Sequence, residues 1–205
     1  MDAIMNVGAK LRERRLALGV SLRQFARDLK VSPSFVSQLE NGKSQPSVAT
    51  LYLICSRLDL SLDELFNNGD AAQTHTYRGA MAKLSEPRGS HGGPVVTPAQ
   101  RRKLVLDSGV TWEQLSAEDS SGVDFILVRY QVGGSSVPDE QLTRHSGTEY
   151  GYIISGTLDV SLGFETYRIG PGDSISFDSA TPHRLTNNGD VPVEAIWFVQ
   201  GRTHP

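Results

Sequence analysis

The apolar residues of this chain change their spacing once, and the change divides it. Through the first third they recur at the three-to-four-residue interval of a helix; from Thr111 onward they fall in short extended runs, with no helix-length pattern among them. Helices gathered at one end and strands at the other make an α+β chain of separate units, not the alternating β–α–β order of a parallel sheet. At 205 residues the chain has length for a core in each unit.

Local signals place the helices of the first unit. Val7 and Leu11 lead to Arg15, flanked by Leu16 and Leu18, and Gly19 supplies a stop. Ser21 caps a second helix over 22–29 whose inward face is Leu22, Phe25, Ala26 and Leu29. Lys30-Val31 makes a short turn, and Ser32 caps a third helix with Pro33 at its first position, where a missing N–H costs nothing. That helix runs to Glu40 and stops at Asn41-Gly42; Val48, Leu51, Ile54 and Leu58 mark a fourth, and Leu62, Leu65 and Phe66 a short fifth.

The second and third helices, joined so closely, form a helix-turn-helix. With Val36 and Leu39 inward, the third turns Ser34, Phe35, Ser37 and Gln38 outward. This face is small, polar and uncharged, unlike an ordinary solvated surface, and suits a DNA groove: Gln38 pairs with adenine and Phe35 packs on a thymine methyl. Arg23, Gln24, Lys43 and Ser44 surround it as phosphate contacts. The charge agrees in sign. Residues 1–66 carry a net +2 and 67–110 a net +3, against −8 for 111–205, so a polyanion is met by the first part.

The stretch from Ser21 to Ser47 resembles the xenobiotic-response-element (XRE) family of helix-turn-helix regulators, related to the phage repressors, over about residues 7–66. Ser32, Ser37, Glu40-Asn41-Gly42 and Pro46-Ser47 match its pattern. The resemblance implies a lambda-repressor-like five-helix domain, DNA contact by Ser32 with the residues above, and an Arg15–Glu40 pair that is scaffold and not readout.

Residues 67–76 read as a linker and 85–94 as a second irregular stretch, with extended runs at 77–84 and 101–106. His75 and His91 are ordinary loop residues on this reading, and Arg101-Arg102-Lys103 a basic surface run. Beyond them strands are expected at 112–115, 124–132, 149–155, 157–162, 165–169, 174–177, 183–186 and 193–199, the pattern of a β-sandwich or jelly roll.

In that series His145 and Glu149 stand four apart, so in extended chain both face one side, where Gly147 and Gly151 keep volume open. His183 adds a second imidazole after the turn at Gly170-Pro171-Gly172-Asp173. Two histidines and a carboxylate suit a divalent metal. The same residues also suit a metal-free organic ligand, or mutual satisfaction inside a barrel.

This half resembles the cupin superfamily over about residues 108–201. The first cupin motif reads here as Thr143-x-His145-x3-Glu149-x6-Gly156, the second as Gly163-x7-Pro171-Gly172-Asp173 with Pro182-His183-x3-Asn187. Thr143 stands where the family's first histidine falls, so the implied metal set is His145, Glu149 and His183, for Zn, Fe, Mn or Ni. Thr143, Arg144 and Arg129 are the expected effector contacts. Tyr150, Tyr152 and Ile154 face away from the metal as core or dimer contacts, and Trp197 and Phe177 are core.

Together these readings give an XRE-type helix-turn-helix domain at 1–68, a linker with first strands at 69–107 and a cupin sensor barrel at 108–205. The expectation is a homodimeric cytoplasmic transcription factor, not an enzyme, that reads a palindromic operator and answers to a small effector. The competing layout is that of hydroxypropylphosphonic acid epoxidase, a metal-dependent cupin enzyme with a helical domain. Its catalytic lysine would align near Gly19-Val20, where this chain has none.

Overall fold

The computed structural model describes residues 7–60, 64–65, 95–117, 123–137 and 141–201. Four helices make the first unit: α1 (Val7–Ala17), α2 (Leu22–Asp28), α3 (Pro33–Glu40) and α4 (Val48–Leu58). Glu64 and Leu65 are helical where a fifth helix is expected; the rest of that helix lies outside the described residues, as do both irregular stretches, the run at 77–84, His75 and His91.

The helix starts follow from their caps. Ser21, Ser32 and Ser47 each turn a side-chain oxygen back to accept a backbone N–H, from Gln24, Phe35 and Thr50, and each cap contributes about 1 kcal/mol. Val7, Leu11, Phe25, Ala26, Leu29, Val36, Leu39, Leu51, Ile54 and Leu58 form the core. Leu16 and Leu18 depart from the periodicity, 57% and 46% exposed, while Arg15 beside them is buried. The inward position belongs to the guanidinium because its partner, Glu40, is buried on α3. Gly8 lets those two helices touch, since a Cβ there would lie 2.0 Å from the Leu39 carbonyl oxygen.

The second unit is two antiparallel sheets. Its strands are β1 (Lys103–Leu106), β2 (Val110–Gln114), β3 (Val123–Tyr130), β4 (Thr148–Ser155), β5 (Leu158–Leu162), β6 (Glu165–Ile169), β7 (Ser174–Asp178), β8 (His183–Thr186) and β9 (Val193–Gln200). One sheet runs β1-β2-β3-β9-β4-β7 and the other β6-β5-β8. Alternation sends Ile126, Val128 and Tyr130 of β3 and Val193, Ala195, Trp197 and Val199 of β9 into the interior between them. Gly151, Ile153 and Glu149 of β4 point the same way, opposite Trp197, Ala195 and Val199.

The two units touch. The Ala49 amide at the start of α4 donates to the Ser136 carbonyl at 3.1 Å, and the Asp107 amide to the Pro46 carbonyl at 3.2 Å.

Candidate metal centre and nucleic-acid interface

The segment 143–147 is sewn along 179–183 before β4 begins. Thr143 and His183 exchange backbone hydrogen bonds at 2.9 and 2.8 Å, the His145 amide donates to Ser179 O, and the Ser179 amide returns to Gly147 O. This pairing sets His145 beside His183, and the strand carries Glu149 between them. His145 Nε2 lies 3.0 Å and His183 Nε2 3.2 Å from the same Glu149 oxygen, Oε1. The carboxylate and His183 are buried, and His145 is only slightly exposed.

Hydrogen positions follow from the outer partners. His145 Nδ1 faces Ser146 O at 3.0 Å and His183 Nδ1 faces Thr181 O at 2.8 Å. A carbonyl oxygen only accepts, so each Nδ1 carries a hydrogen, and in the neutral ring each Nε2 presents a lone pair. The Trp197 indole donates to Glu149 Oε2 at 2.7 Å. Neither Glu149 Oε1 nor His145 Nε2 has a hydrogen-bond partner. Two imidazole lone pairs and a carboxylate oxygen thus converge, which is repulsive without a cation or an added proton.

The residues fit a divalent metal. Their ligand atoms lie within 4.8 Å of one another. Donors sharing an ion at about 2.1 Å stand roughly 3.0–3.4 Å apart at right-angled to tetrahedral geometry, and the two nitrogen–oxygen distances fall in that range. The ionisation states agree. Burial lowers the His183 imidazole more strongly than the Glu149 charge raises it. Burial pushes the Glu149 carboxyl up, but it is held below the usual carboxylate range by His145 and His183, to the extent that either imidazole is protonated, and by the indole hydrogen bond. A neutral imidazole and an ionised carboxylate are the forms a metal takes.

Of the expected effector contacts, Thr143 is half-buried opposite His183 and Arg144 is exposed. Arg129 is not brought to the triad. It stands on the β3 face opposite Val128 and Tyr130, where its Nε donates to Glu194 at 2.6 Å and its Nη1 to Glu113. Arg101 and Lys103 bond the same Glu113 carboxylate, so the basic run is held down by a buried acid and not merely solvated. Burial pushes the Glu113 carboxyl up, but these three cations hold it below its ordinary value.

Two residues expected as plain core border the site. Phe177 packs 5.1 Å from the His183 ring. Trp197 fills the volume that Gly151 leaves, for a Cβ at 151 would lie 2.1 Å from its ring. The glycine therefore does not keep that side of the site open: its missing side chain is what admits the indole to Glu149. A polar-edged aromatic on the strand beside a glycine was the available signal. Tyr52 of α4 also reaches the triad, with its ring centroid 4.4 Å from that of His145. Its only mark in the sequence is an aromatic lying off the apolar stripe of α4.

At the other end, α3 buries Val36, Leu39 and Glu40 and exposes Ser34 and Gln38. Ser37 is half-buried, and Ser32, Arg23 and Lys43 are exposed. The Ser44 hydroxyl donates to Gln38 Oε1 at 3.1 Å, and the Gln24 amide is engaged with Asp28 at 2.7 Å. Phe35 is half-buried, and with Ser32 it lines a cleft of about 820 Å³ shared with Gly109, Val132 and Ser135 of the barrel.

Comparison with known proteins agrees with this layout. The Helix-turn-helix family model matches residues 11–65 and the Cupin domain model residues 126–199. The chain thus carries a helix-turn-helix domain followed by a cupin domain. It is 23% identical to the HTH-type transcriptional regulator PuuR of Escherichia coli over 88% of this chain and 86% of that one. To the HTH-type transcriptional regulator SutR of the same organism it is 23% identical over 89% and 88%. The crystal structure of an HTH_3 family transcriptional regulator from Vibrio cholerae shares the fold across 97% of both chains, with a TM-score of 0.64 at 18% identity. Among the described residues no helix is long and apolar enough to cross a membrane.

Proposed function

We propose that this regulator reads a palindromic DNA operator as a homodimer, and that its barrel answers to a small ligand held through a divalent cation at His145, Glu149 and His183. The observation that carries the proposal is the outer face of α3. It exposes Ser34 and Gln38, with Lys43 following and Arg23 exposed on α2, while Val36, Leu39 and Glu40 are buried and Phe35 is half-buried. A helix with that division offers hydrogen-bonding groups to base edges and cations to phosphates. The matched relatives are transcriptional regulators by name, which supports the same reading.

Two-fold symmetry is supported by the outer face of the six-stranded sheet. Tyr150, Tyr152 and Ile154 are 45%, 49% and 45% exposed, and Tyr150 and Phe125 each lie 6.1 Å from the Phe198 ring. A contiguous aromatic patch of this kind is a surface that another chain covers.

The experiment is selection of a binding site from a random duplex library by the full chain, with and without a divalent metal, followed by the salt dependence on the winner. A palindromic winner, its half-sites one helical turn or a multiple apart and its affinity falling steeply with salt, is the expected outcome. No enrichment in either condition overturns the DNA reading. The triad would equally serve a metal-dependent oxygenase; turnover with Fe(II) and dioxygen, lost in His183→Ala, would favour that reading instead.

A further inference from the structure

The triad and the helix-turn-helix domain meet at one side chain. Tyr52 lies off the buried stripe of Val48, Leu51, Ile54 and Leu58 by which α4 holds the helical core. It turns toward the barrel, where its ring is tilted 36° over His145 at 4.4 Å and lies 5.5 Å from Trp112 of β2. Tyr130 belongs to the same neighbourhood: burial pushes its phenol well up, with Glu149 and then Tyr52 adding to the shift. The backbone bonds Ala49–Ser136 and Pro46–Asp107 fix the start of α4 on the barrel just before this contact. The cleft holding Ser32 and Phe35 opens alongside.

We propose that Tyr52 is a wall of the triad's pocket, so that a cation held there is felt directly by the helix-turn-helix domain. The proposal rests on the regulator reading above and names the contact through which its two units communicate. An imidazole that gives its lone pair to a cation is fixed in orientation and becomes electron-poor. The phenol ring stacked on it is then held more firmly, as a ring is held by a neighbouring positive charge. Because α4 and α3 share one close-packed core, a change in how Tyr52 sits is a change in how α3 is presented beside the barrel. Such coupling is reciprocal: operator DNA alters the affinity for the cation by the factor by which the cation alters the affinity for DNA.

Cobalt(II) is the probe, added to the full chain. Its binding is read by quenching of the two tryptophans, both at the site: Trp112 against Tyr52 and Trp197 on Glu149. In the wild type, saturating cobalt(II) changes the affinity for the selected duplex by about fivefold or more. Tyr52→Phe, which keeps the ring, retains that change. Tyr52→Ala shifts the cobalt(II) dissociation constant severalfold and brings the duplex affinities with and without cobalt(II) to within about twofold of each other, on the same coupling scale. Circular dichroism of Tyr52→Ala checks that the helices remain, since Tyr52 packs against the core only partly buried. The proposal is overturned if Tyr52→Ala keeps both wild-type values, or if the wild type binds cobalt(II) with no effect on the duplex. A wild type that binds no cobalt(II) sinks this proposal and the cation reading together, and leaves DNA binding standing. A chain that selects no duplex sinks the regulator reading, while the cobalt(II) titration of Tyr52→Ala still decides whether Tyr52 walls the pocket.

Discussion

The helical unit and the barrel each bury a carboxylate among nitrogen partners, and they treat it differently. Around Glu40 the account closes: Arg15 Nε and Nη2 meet its two oxygens at 2.5 and 2.9 Å, and Nη1 goes to the Val20 carbonyl at 2.8 Å. Around Glu149 only Oε2 is satisfied, by the Trp197 indole, while Oε1 faces two nitrogens whose hydrogens are committed to Ser146 and Thr181. A closed pair fixes α1 against α3 and has nothing left to offer. A constellation with lone pairs unspent is a place where something binds, because buried polar atoms without partners are uncommon and costly.

The largest test of that contrast is Glu40→Ala. It strands the Arg15 charge in the helical core, so unfolding in urea should show a loss of about 3–5 kcal/mol, with the cobalt(II) affinity of the barrel unchanged. A loss below about 1 kcal/mol, the level of an exposed pair, would mean that the pair is open to solvent and the contrast false. Trp197→Phe is next. It keeps a ring in the space beside Gly151 but removes the donor to Glu149 Oε2, and should weaken metal binding about 10–100-fold by isothermal titration. Unchanged affinity would show that the indole is packing alone. Gln38→Ala touches neither cluster. It should cost on the order of 1–3 kcal/mol at one cognate base pair in competition with altered duplexes, while stability and cobalt(II) binding stay at wild-type values. Uniform weakening across all duplexes would remove Gln38 from the reading face.

The sequence made the local parts legible. Serine caps at 21 and 32, the glycine stop at 19 and the inward faces of α2 and α3 are signals carried within a few residues, and the structure has them in place. The triad's members were legible through the two cupin motifs, but not by extended spacing. The chain bends at Ser146-Gly147, with Gly147 at φ 110°, and pairing with 179–183 is what places His145. What stayed hidden depends on neighbours across space. That Arg15 is buried beside exposed Leu16 and Leu18 was legible only through the family resemblance, which implies its pair with Glu40. Arg129 had the right chemistry for an anionic ligand, but register on β2 and β9 gives it Glu113 and Glu194. Tyr52 reaches the triad only through the docking of one unit on the other, and no spacing along the chain encodes that.

Gly151 and Trp197 carry a consequence for how this site can change over time. Any side chain at 151 and the indole at 197 claim the same volume, so the two positions, on neighbouring strands but distant in the chain, cannot vary independently. Enlarging Gly151 first would drive the indole from Glu149 and disable the site while leaving the barrel poorly packed. Shrinking Trp197 first opens a cavity that a later residue at 151 could fill. A lineage that abandons the cation must therefore lose the tryptophan before the glycine, and one that regains it must restore the glycine before the tryptophan.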